Sequence, residues 1–257
     1  GTGAKVAGNA LTLNSTGVIG FGDGVSISGK AIDYSSAKIS FADNGMDAAI
    51  ADQLAARALP FHGHPLVRTP NLARLAGEGV VFENCYSTSP LCAPARATIM
   101  NGLLPSRTGV YDNAAEFPSA IPTFAHYLRA QGYKTCLSGK MHFVGPDQLH
   151  GLEERLTTDI YPADFGWSAD WAHQRLDYAW SHNRESITAA GPCLRSLQLD
   201  YDEETAFRAE RQLYDYARSP QEGPFLLAVS FTHPHDPYNC LPEHWQRYAD
   251  SAIDPPT

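Results

Sequence analysis

The sequence lacks the features of a membrane-spanning, nucleic-acid-binding or disulfide-stapled protein. Its 257 residues contain no apolar run of the about 18 residues that a transmembrane helix needs. The net charge of −9 leaves no basic excess, which argues against a nucleic-acid partner. The five cysteines are an odd number and form no close pairs in the sequence, which argues against a disulfide framework. The sequence shows no charged segment followed by an apolar one, the pattern of a secretory signal. We therefore expect reduced thiols and a cytoplasmic location.

Residues 1–45 differ in composition from the rest of the chain. They contain nine of the 21 glycines, many Ser and Thr, and few charges. Alternating runs such as Ala10-Leu11-Thr12-Leu13 and Val25-Ser26-Ile27-Ser28 predict short β-strands between turns. We therefore divide the chain into a Gly/Ser-rich leader, residues 1–45, and a domain that covers residues 46–257.

The domain shows strands that alternate with helices. Val80-Val81-Phe82, Tyr133 to Leu137 and Phe225 to Phe231 are predicted strands, and the last is an apolar run typical of a strand buried in a parallel sheet. Strands that alternate with helices indicate an α/β fold with a mostly parallel sheet.

Helix signals fill the intervals between these strands. Helices are predicted from Pro70 to about Ala76, from Cys92 to just before Gly102, from Ile121 to about Gln131, and from Asp202 to Arg218. In the last of these, Phe207, Leu213 and Tyr214 are predicted to form the apolar face.

Four polar clusters follow predicted strands or begin the next helix. They are Asp52-Gln53, Cys92 to Arg96, Lys140-x-His142, and the Thr232-His233-Pro234-His235 run. Ligands of open α/β sheets bind outside the carboxyl ends of the strands, so these clusters can converge there on an oxyanion ester beside a metal. Each also has a structural alternative: a buried core thiol, a surface helix start, ordinary loop residues, or a capping or isolated zinc-binding histidine pair.

Five stretches carry a resemblance to a known family. The spacing C-x-P-x-R-x-x-x-x-x-G from Cys92 to Gly102 resembles the motif of type I sulfatases, in which the cysteine becomes formylglycine. Five stretches resemble the choline sulfatase branch of this family, namely SPLCAPAR, LPSRTGVYDNAAEF, CLSGKMHFVGPDQLHG, ERLTTDIYPADFGW and SFTHPHDPY. The resemblance starts at about Ala51 and implies an alkaline phosphatase-like α/β/α sandwich, whereas nothing in residues 1–45 resembles a sulfatase.

The resemblance implies hydrolysis of choline-O-sulfate to choline and sulfate. Formylglycine, made from Cys92 by a maturation enzyme, would be the nucleophile and would bind Ca²⁺ together with Asp52 and Gln53, since oxygen donors suit that hard cation. Arg96 would help to keep the nucleophile ionised.

The remaining implied roles concern the ester. Lys140 would neutralise the sulfate oxygens, His142 would bind the nucleophile and remove its second proton, and His233 would protonate the departing alcohol. Choline is a quaternary ammonium, which aromatic faces bind through cation–π contacts, and Trp167 stands where the resemblance places such a ring.

The sequence departs from the family pattern at two places, which keeps alternatives open. Asp47 puts a charge into a segment that is a hydrophobic strand in the family, and no D-H-G run supplies the second pair of calcium ligands, which we expect beyond Thr257. The chain is therefore expected to be the N-terminal portion of a catalytic domain. An arylsulfatase, a phosphonate monoester hydrolase and an inactive fragment remain alternatives, and a homo-oligomer is an open possibility.

Overall fold

The computed structural model describes residues 10–12, 31–33, 40–43, 56–165, 184–218 and 224–251. Their strands are β1 (Ala10–Thr12), β2 (Ala31–Asp33), β3 (Ser40–Asp43), β4 (Lys134–Gly139), β5 (Glu154–Arg155), β6 (Gly191–Pro192), β7 (Phe225–Ser230) and β8 (Asn239–Cys240). The central sheet has the order β3-β7-β4-β5 and every pairing in it is parallel. Two smaller parallel pairs join β1 to β2 and β6 to β8.

The helices of the described residues connect these strands, except for the last helix, which follows β8. They are α1 (Pro70–Glu78), α2 (Cys92–Asn101), α3 (Pro105–Thr108), α4 (Phe124–Ala130), α5 (Arg184–Thr188), α6 (Leu197–Arg218) and α7 (Pro242–Gln246). Two short 3-10 helices, Ala56–Ala58 and Pro60–His62, precede α1. None of the helices in the described ranges is long and apolar enough to cross a membrane.

Strands β4 and β7 form the middle of the central sheet. They pair over six residues, from Lys134 opposite Phe225 to Gly139 opposite Ser230. After its first residue β4 is buried throughout, because helix α6 contacts it on one side and α4 packs near it as well. The α/β prediction with a parallel sheet is confirmed, with β4 extending to Gly139 rather than ending at Leu137.

Helix α2 lies in the main hydrophobic core. Its small residues Ala93 and Ala97 pack with Met100, and the same cluster contains Leu137 of β4 and Phe143. The helix ends, as predicted, at Gly102, whose φ of 71° is the left-handed conformation that glycine adopts without strain. Small side chains on this helix bring its backbone, and hence Cys92 at its start, close to the sheet.

Two local predictions were wrong. Residues 80–82 form no strand, and Val80 and Phe82 are 69% and 54% exposed. A three-residue run becomes a strand only if a neighbour takes up its backbone hydrogen bonds, and none of the described strands pairs with it. Helix α1 also continues beyond Ala76 to Glu78, because an isolated glycine such as Gly77 weakens a helix without ending it.

The apolar face predicted for α6 was also wrong. Phe207, Leu213 and Tyr214 are each about half exposed or more. The buried positions follow the helical period through smaller or amphipathic side chains, namely Tyr201, Thr205, Ala209 and Tyr216. Helix α6 lies close against β4 and β7, and this close packing selects small residues over large ones.

Strand β3 lies within the Gly/Ser-rich leader and pairs with β7. Its four residues run parallel to β7 from Ser40 opposite Leu227 to Asp43 opposite Ser230. Strand β1 agrees with the strand predicted at Ala10, whereas Val25 to Ser28 and Asp47 lie outside the described residues. The division of the chain at residue 45 stays a prediction.

We predict that Gly139→Ala destabilises the fold strongly. A Cβ atom at this position would lie 1.8 Å from the Ser230 carbonyl oxygen, so β4 and β7 would have to separate. The free energy of unfolding, measured by urea denaturation, should fall by about 3 kcal/mol or more. Gly132→Ala is the matched control, because Gly132 has a φ of 84° with nothing within 4 Å, and it should cost about 1–2 kcal/mol. Equal losses in the two variants would contradict the close approach of the strands.

Candidate active site

Cys92 is the first residue of helix α2 and is buried. The preceding Leu91 is extended, so the helix starts abruptly at the cysteine. The N–H of Ala93, which has no acceptor within the helix, donates to the Asn113 side-chain oxygen at 3.0 Å. Pro94, in the first turn, has no N–H that needs an acceptor. The sulfur therefore lies at the positive end of the helix dipole, where negative charge is stabilised.

The Lys140 ammonium lies beside this sulfur. Its Nζ atom is 3.7 Å from the Cys92 Sγ atom, and the side chain is only 2% exposed. The position follows from the sheet, because β4 ends at Gly139 and the Lys140 N–H still donates to the Ser230 carbonyl at 2.9 Å. The ammonium also lies 4.6 Å from the ring centre of Tyr161, within cation–π range.

Arg96 joins helix α2 to the carboxyl ends of both central strands. Its Nη1 atom donates to the Lys140 carbonyl at 2.8 Å and to the Ser230 hydroxyl at 2.9 Å. The side chain is 2% exposed, so its charge acts at low dielectric. The site thus contains two buried cations: the Lys140 ammonium beside the sulfur, and the Arg96 guanidinium, which contacts the Lys140 carbonyl.

His142 is buried next to these cations. Burial, followed by the charge of Lys140, lowers the pKa of His142 to about 3, although the nearby Asp159 carboxylate acts in the opposite direction. Its ring centre is 5.3 Å from that of Tyr161. At neutral pH the imidazole is therefore uncharged and can accept a proton.

His233, the predicted proton donor, makes hydrogen bonds through both ring nitrogens. Its Nδ1 atom lies 2.6 Å from a carboxylate oxygen of Asp202, and its Nε2 atom lies 3.0 Å from the Asn239 carbonyl. The hydrogen bond with Asp202 raises the pKa of His233, in spite of partial burial. Both ring nitrogens thus fix the loop that follows β7.

The neighbouring His235 faces the cluster instead. The Tyr161 hydroxyl lies 3.1 Å from its Nδ1 atom and 3.2 Å from its Nε2 atom, and the same tyrosine ring approaches both Lys140 and His142. Burial, followed by negative charge at Cys92, raises the pKa of Tyr161 well above its usual range, so its hydroxyl stays protonated.

Sequence reasoning missed two members of this cluster. An H-x-H pair gives both histidines the same sequence signal, so His235 could not be separated from His233. Tyr161 lies in the ERLTTDIYPADFGW stretch of the resemblance, and no sequence signal predicted its contact with His235.

The structure brings Cys92, Arg96, Lys140 and His142 together at the carboxyl ends of β4 and β7. The other predicted site residues, Asp52, Gln53 and Trp167, lie outside the described residues.

The described residues do not by themselves form a calcium site. Within these ranges, no group of three or more His, Cys, Asp or Glu side chains could hold a metal ion. Lys140 and Tyr161, two described residues that interact with Cys92, are cationic and aromatic, whereas Ca²⁺ takes six to eight oxygen ligands. Calcium and formylglycine remain predictions from the resemblance.

Comparison with known proteins gives one family over most of the chain. The Sulfatase family model matches residues 49–254. The chain is 54% identical over 206 residues to the choline-sulfatase of Rhizobium meliloti (strain 1021), an alignment that covers 78% of this chain and 40% of that protein. The chain therefore spans less than half the length of this relative.

Solved structures share the fold at low sequence identity. A protein solved in complex with its substrate D-glucosamine-2-N,6-O-disulfate has a TM-score of 0.57 at 20% identity, covering 85% of this chain and 38% of its own. The phosphonate monoester hydrolase of Agrobacterium radiobacter has a TM-score of 0.53 at 22% identity, covering 81% of this chain and 42% of its own. These neighbours confirm the predicted alkaline phosphatase-like α/β fold. Together with the family model, which covers most of the chain, they lead to one conclusion: the chain belongs to the sulfatase family.

Proposed function

We propose that the protein is a sulfuric ester hydrolase that acts on choline-O-sulfate. The observation that carries this proposal is the Lys140 ammonium, 3.7 Å from the Cys92 sulfur at the start of α2. A tetrahedral anion placed over that sulfur would meet the ammonium, the Arg96 guanidinium and the positive end of the helix dipole. The choice of choline is supported by the 54% identity with a choline-sulfatase.

The proposal includes two groups taken from the resemblance. Formylglycine made from Cys92 would supply the nucleophile, and Ca²⁺, with Asp52, Gln53 and residue 92 as ligands, would supply positive charge beside it. The described residues contribute the rest of the charge, because Lys140 and Arg96 are preorganised and need no rearrangement when the anion binds.

His142 is proposed as the proton acceptor beside residue 92. Its low pKa keeps the imidazole unprotonated at neutral pH, and the negative charge of a bound sulfate ester would raise that pKa toward the range of a useful base. The surrounding positive charge then makes the imidazolium unstable, so the proton is released before the next turnover.

We reassign the proton donor for the departing alcohol from His233 to His235. His233 contacts Asp202 and Asn239, whereas His235, which also contacts Asp236, lies against Tyr161, whose ring approaches the Lys140 ammonium. Choline is a poor leaving group as an alkoxide, so its oxygen needs a proton as the S–O bond breaks.

Recognition of the quaternary ammonium is proposed to rest on aromatic faces. Each cation–π contact contributes about 0.5–2 kcal/mol, and the stretch from Tyr161 to Trp167 supplies three aromatic side chains. Trp167 is the residue that the resemblance places against choline.

The second candidate is a phosphonate monoester hydrolase. The fold similarity to such an enzyme, with a TM-score of 0.53, favours it, and the same two cations would bind a phosphonate. The two functions differ in substrate and not in the anion-binding residues.

An assay of choline-O-sulfate against 4-nitrophenyl sulfate and a phenyl phosphonate ester tests the function. We expect the highest kcat/KM for choline-O-sulfate, with peptide mass spectrometry across Cys92 reporting the fraction of formylglycine. Lys140→Ala should lower kcat/KM by about 10²–10³-fold, because one transition-state cation is lost. Lys134→Ala is the control, since Lys134 is an exposed lysine at the other end of β4. Equal or better turnover of the aryl or phosphonate ester would contradict the substrate assignment.

The leaving group distinguishes the two histidines. His235→Asn should lower kcat/KM for choline-O-sulfate by about 10²–10⁴-fold and much less for 4-nitrophenyl sulfate, whose leaving group departs without a proton. His233→Ala removes the Asp202 contact and should reduce the free energy of unfolding by about 1–3 kcal/mol, with a similar effect on both esters. An equal loss on both esters for His235→Asn would rule out proton donation by this residue.

His142 should make the fold sensitive to acid. Its pKa is about 3 when folded and 6.5 in the reference state, so between these values the unfolded chain binds more protons and stability falls as the pH falls. From pH 7 to pH 5 this contribution amounts to about 2 kcal/mol. Urea denaturation at both pH values should show a smaller loss for His142→Gln than for wild type. The exposed His244→Gln is the control, and an unchanged loss in His142→Gln would contradict the buried neutral state.

A further inference from the structure

The turn after β4 has an unusual backbone. Lys140, Met141 and His142 follow the buried end of the strand, and His142 has a φ of 54°. This left-handed conformation is uncommon for a residue other than glycine and persists only where the surroundings hold it. Because Lys140 and His142 both belong to the candidate active site, the groups that hold this turn decide the geometry of the site.

The Asp159 carboxylate binds the second and third residues of this turn, beyond the contacts that Arg96 and Ser230 make with Lys140. Its Oδ2 atom accepts hydrogen bonds from the Met141 N–H at 2.9 Å and from the His142 N–H at 2.7 Å. The Arg155 guanidinium donates to the same oxygen at 2.6 Å, and the side chains of Asp159 and Arg155 are only 3% and 8% exposed. Burial opposes ionisation, but Arg155 and then His142 keep the pKa of Asp159 below its usual value.

The Asp159 carboxylate also lies close to Tyr161, which contacts the candidate active site from a different segment of the chain. Its Oδ1 atom is 3.5 Å from the N–H of Tyr161, two residues further along the chain. The ring of Tyr161 approaches the Lys140 ammonium, and its hydroxyl contacts His235. Asp159 therefore connects the turn that carries Lys140 to the segment that carries Tyr161.

We propose that Asp159 is a positioning residue for the active site, which fixes the Lys140–His142 turn against the Tyr161 segment without contacting the substrate. Its effect on catalysis rests on the proposed sulfatase function. Its effect on the turn does not, because the hydrogen bonds to Met141 and His142 exist in the absence of substrate.

The chain contains a matched control for this arrangement. Asp147 also accepts two successive N–H groups, from Leu149 and His150, each at 3.0 Å. His150 has a φ of 43°, so this carboxylate also holds a histidine in the left-handed conformation. The ring of His150, however, stacks on Phe117 at 4.2 Å in the core rather than facing the two cations.

The experiment compares Asp159→Asn with Asp147→Asn by hydrogen exchange and by kinetics. In Asp159→Asn, exchange in the peptide 139–145 should rise about tenfold or more, because the amides lose a charged acceptor. The kcat/KM for choline-O-sulfate should fall by about 10²-fold, as expected for displaced catalytic groups. In Asp147→Asn, exchange should rise in the peptide 147–152 instead, and kcat/KM should stay within about threefold of wild type.

Each result decides the proposal. Unchanged exchange in the peptide 139–145 of Asp159→Asn overturns it, and so does an equal loss of kcat/KM in Asp147→Asn. If the wild-type chain hydrolyses no sulfate ester, the proposed function fails while the exchange data still test the positioning. If Asp159→Asn does not fold, Asp159→Glu keeps the charge that pairs with Arg155. Wild-type exchange in 139–145 together with lost activity in that variant also overturns the proposal.

Discussion

The close approach of β4 and β7 at Gly139 and Ser230 is the constraint on which the rest of the site depends. A side chain at residue 139 would collide with the Ser230 carbonyl, so only glycine permits the pairing to continue to this point. The same serine accepts the Lys140 N–H through its carbonyl and the Arg96 guanidinium through its hydroxyl. One contact between two strands therefore sets both where the chain leaves the sheet and how far helix α2 lies from it.

The electrostatics of the site follow from that geometry. Two cations, Lys140 and Arg96, are almost completely buried. Arg96 donates to a carbonyl and a hydroxyl oxygen, and the Lys140 ammonium lies against the Tyr161 ring. The resulting positive field contributes, after burial, to the low pKa of His142. A field that disfavours a third positive charge also favours an anion, as the proposed sulfate ester requires.

The sequence predicts the parts of this arrangement that depend on local rules. The start of α2 at Cys92 and its end at Gly102 follow from helix-terminus preferences, and β7 follows from its apolar run. Contacts between residues that are distant in the chain could not be predicted from these local rules. The run at Val80 lacks a strand partner among the described strands, and the buried face of α6 is set by how closely Thr205 and Ala209 approach the sheet. The choice between His233 and His235 depends on which one Asp202, a residue of α6, holds.

A buried histidine with a left-handed backbone does not by itself identify the active site. His150 is as buried as His142 and has the same left-handed backbone, and each follows a carboxylate-held turn. The two differ in their neighbours, because His150 packs between Phe117 and Phe143, whereas His142 lies near Lys140, Arg96 and His235. A strained, buried histidine becomes a candidate for chemistry only where buried charge surrounds it and a nucleophile lies within the same cluster. Cys92 supplies the nucleophile beside the turn that carries His142, and not beside the turn that carries His150. The difference arises because the six-residue pairing of β4 with β7 ends at the His142 turn.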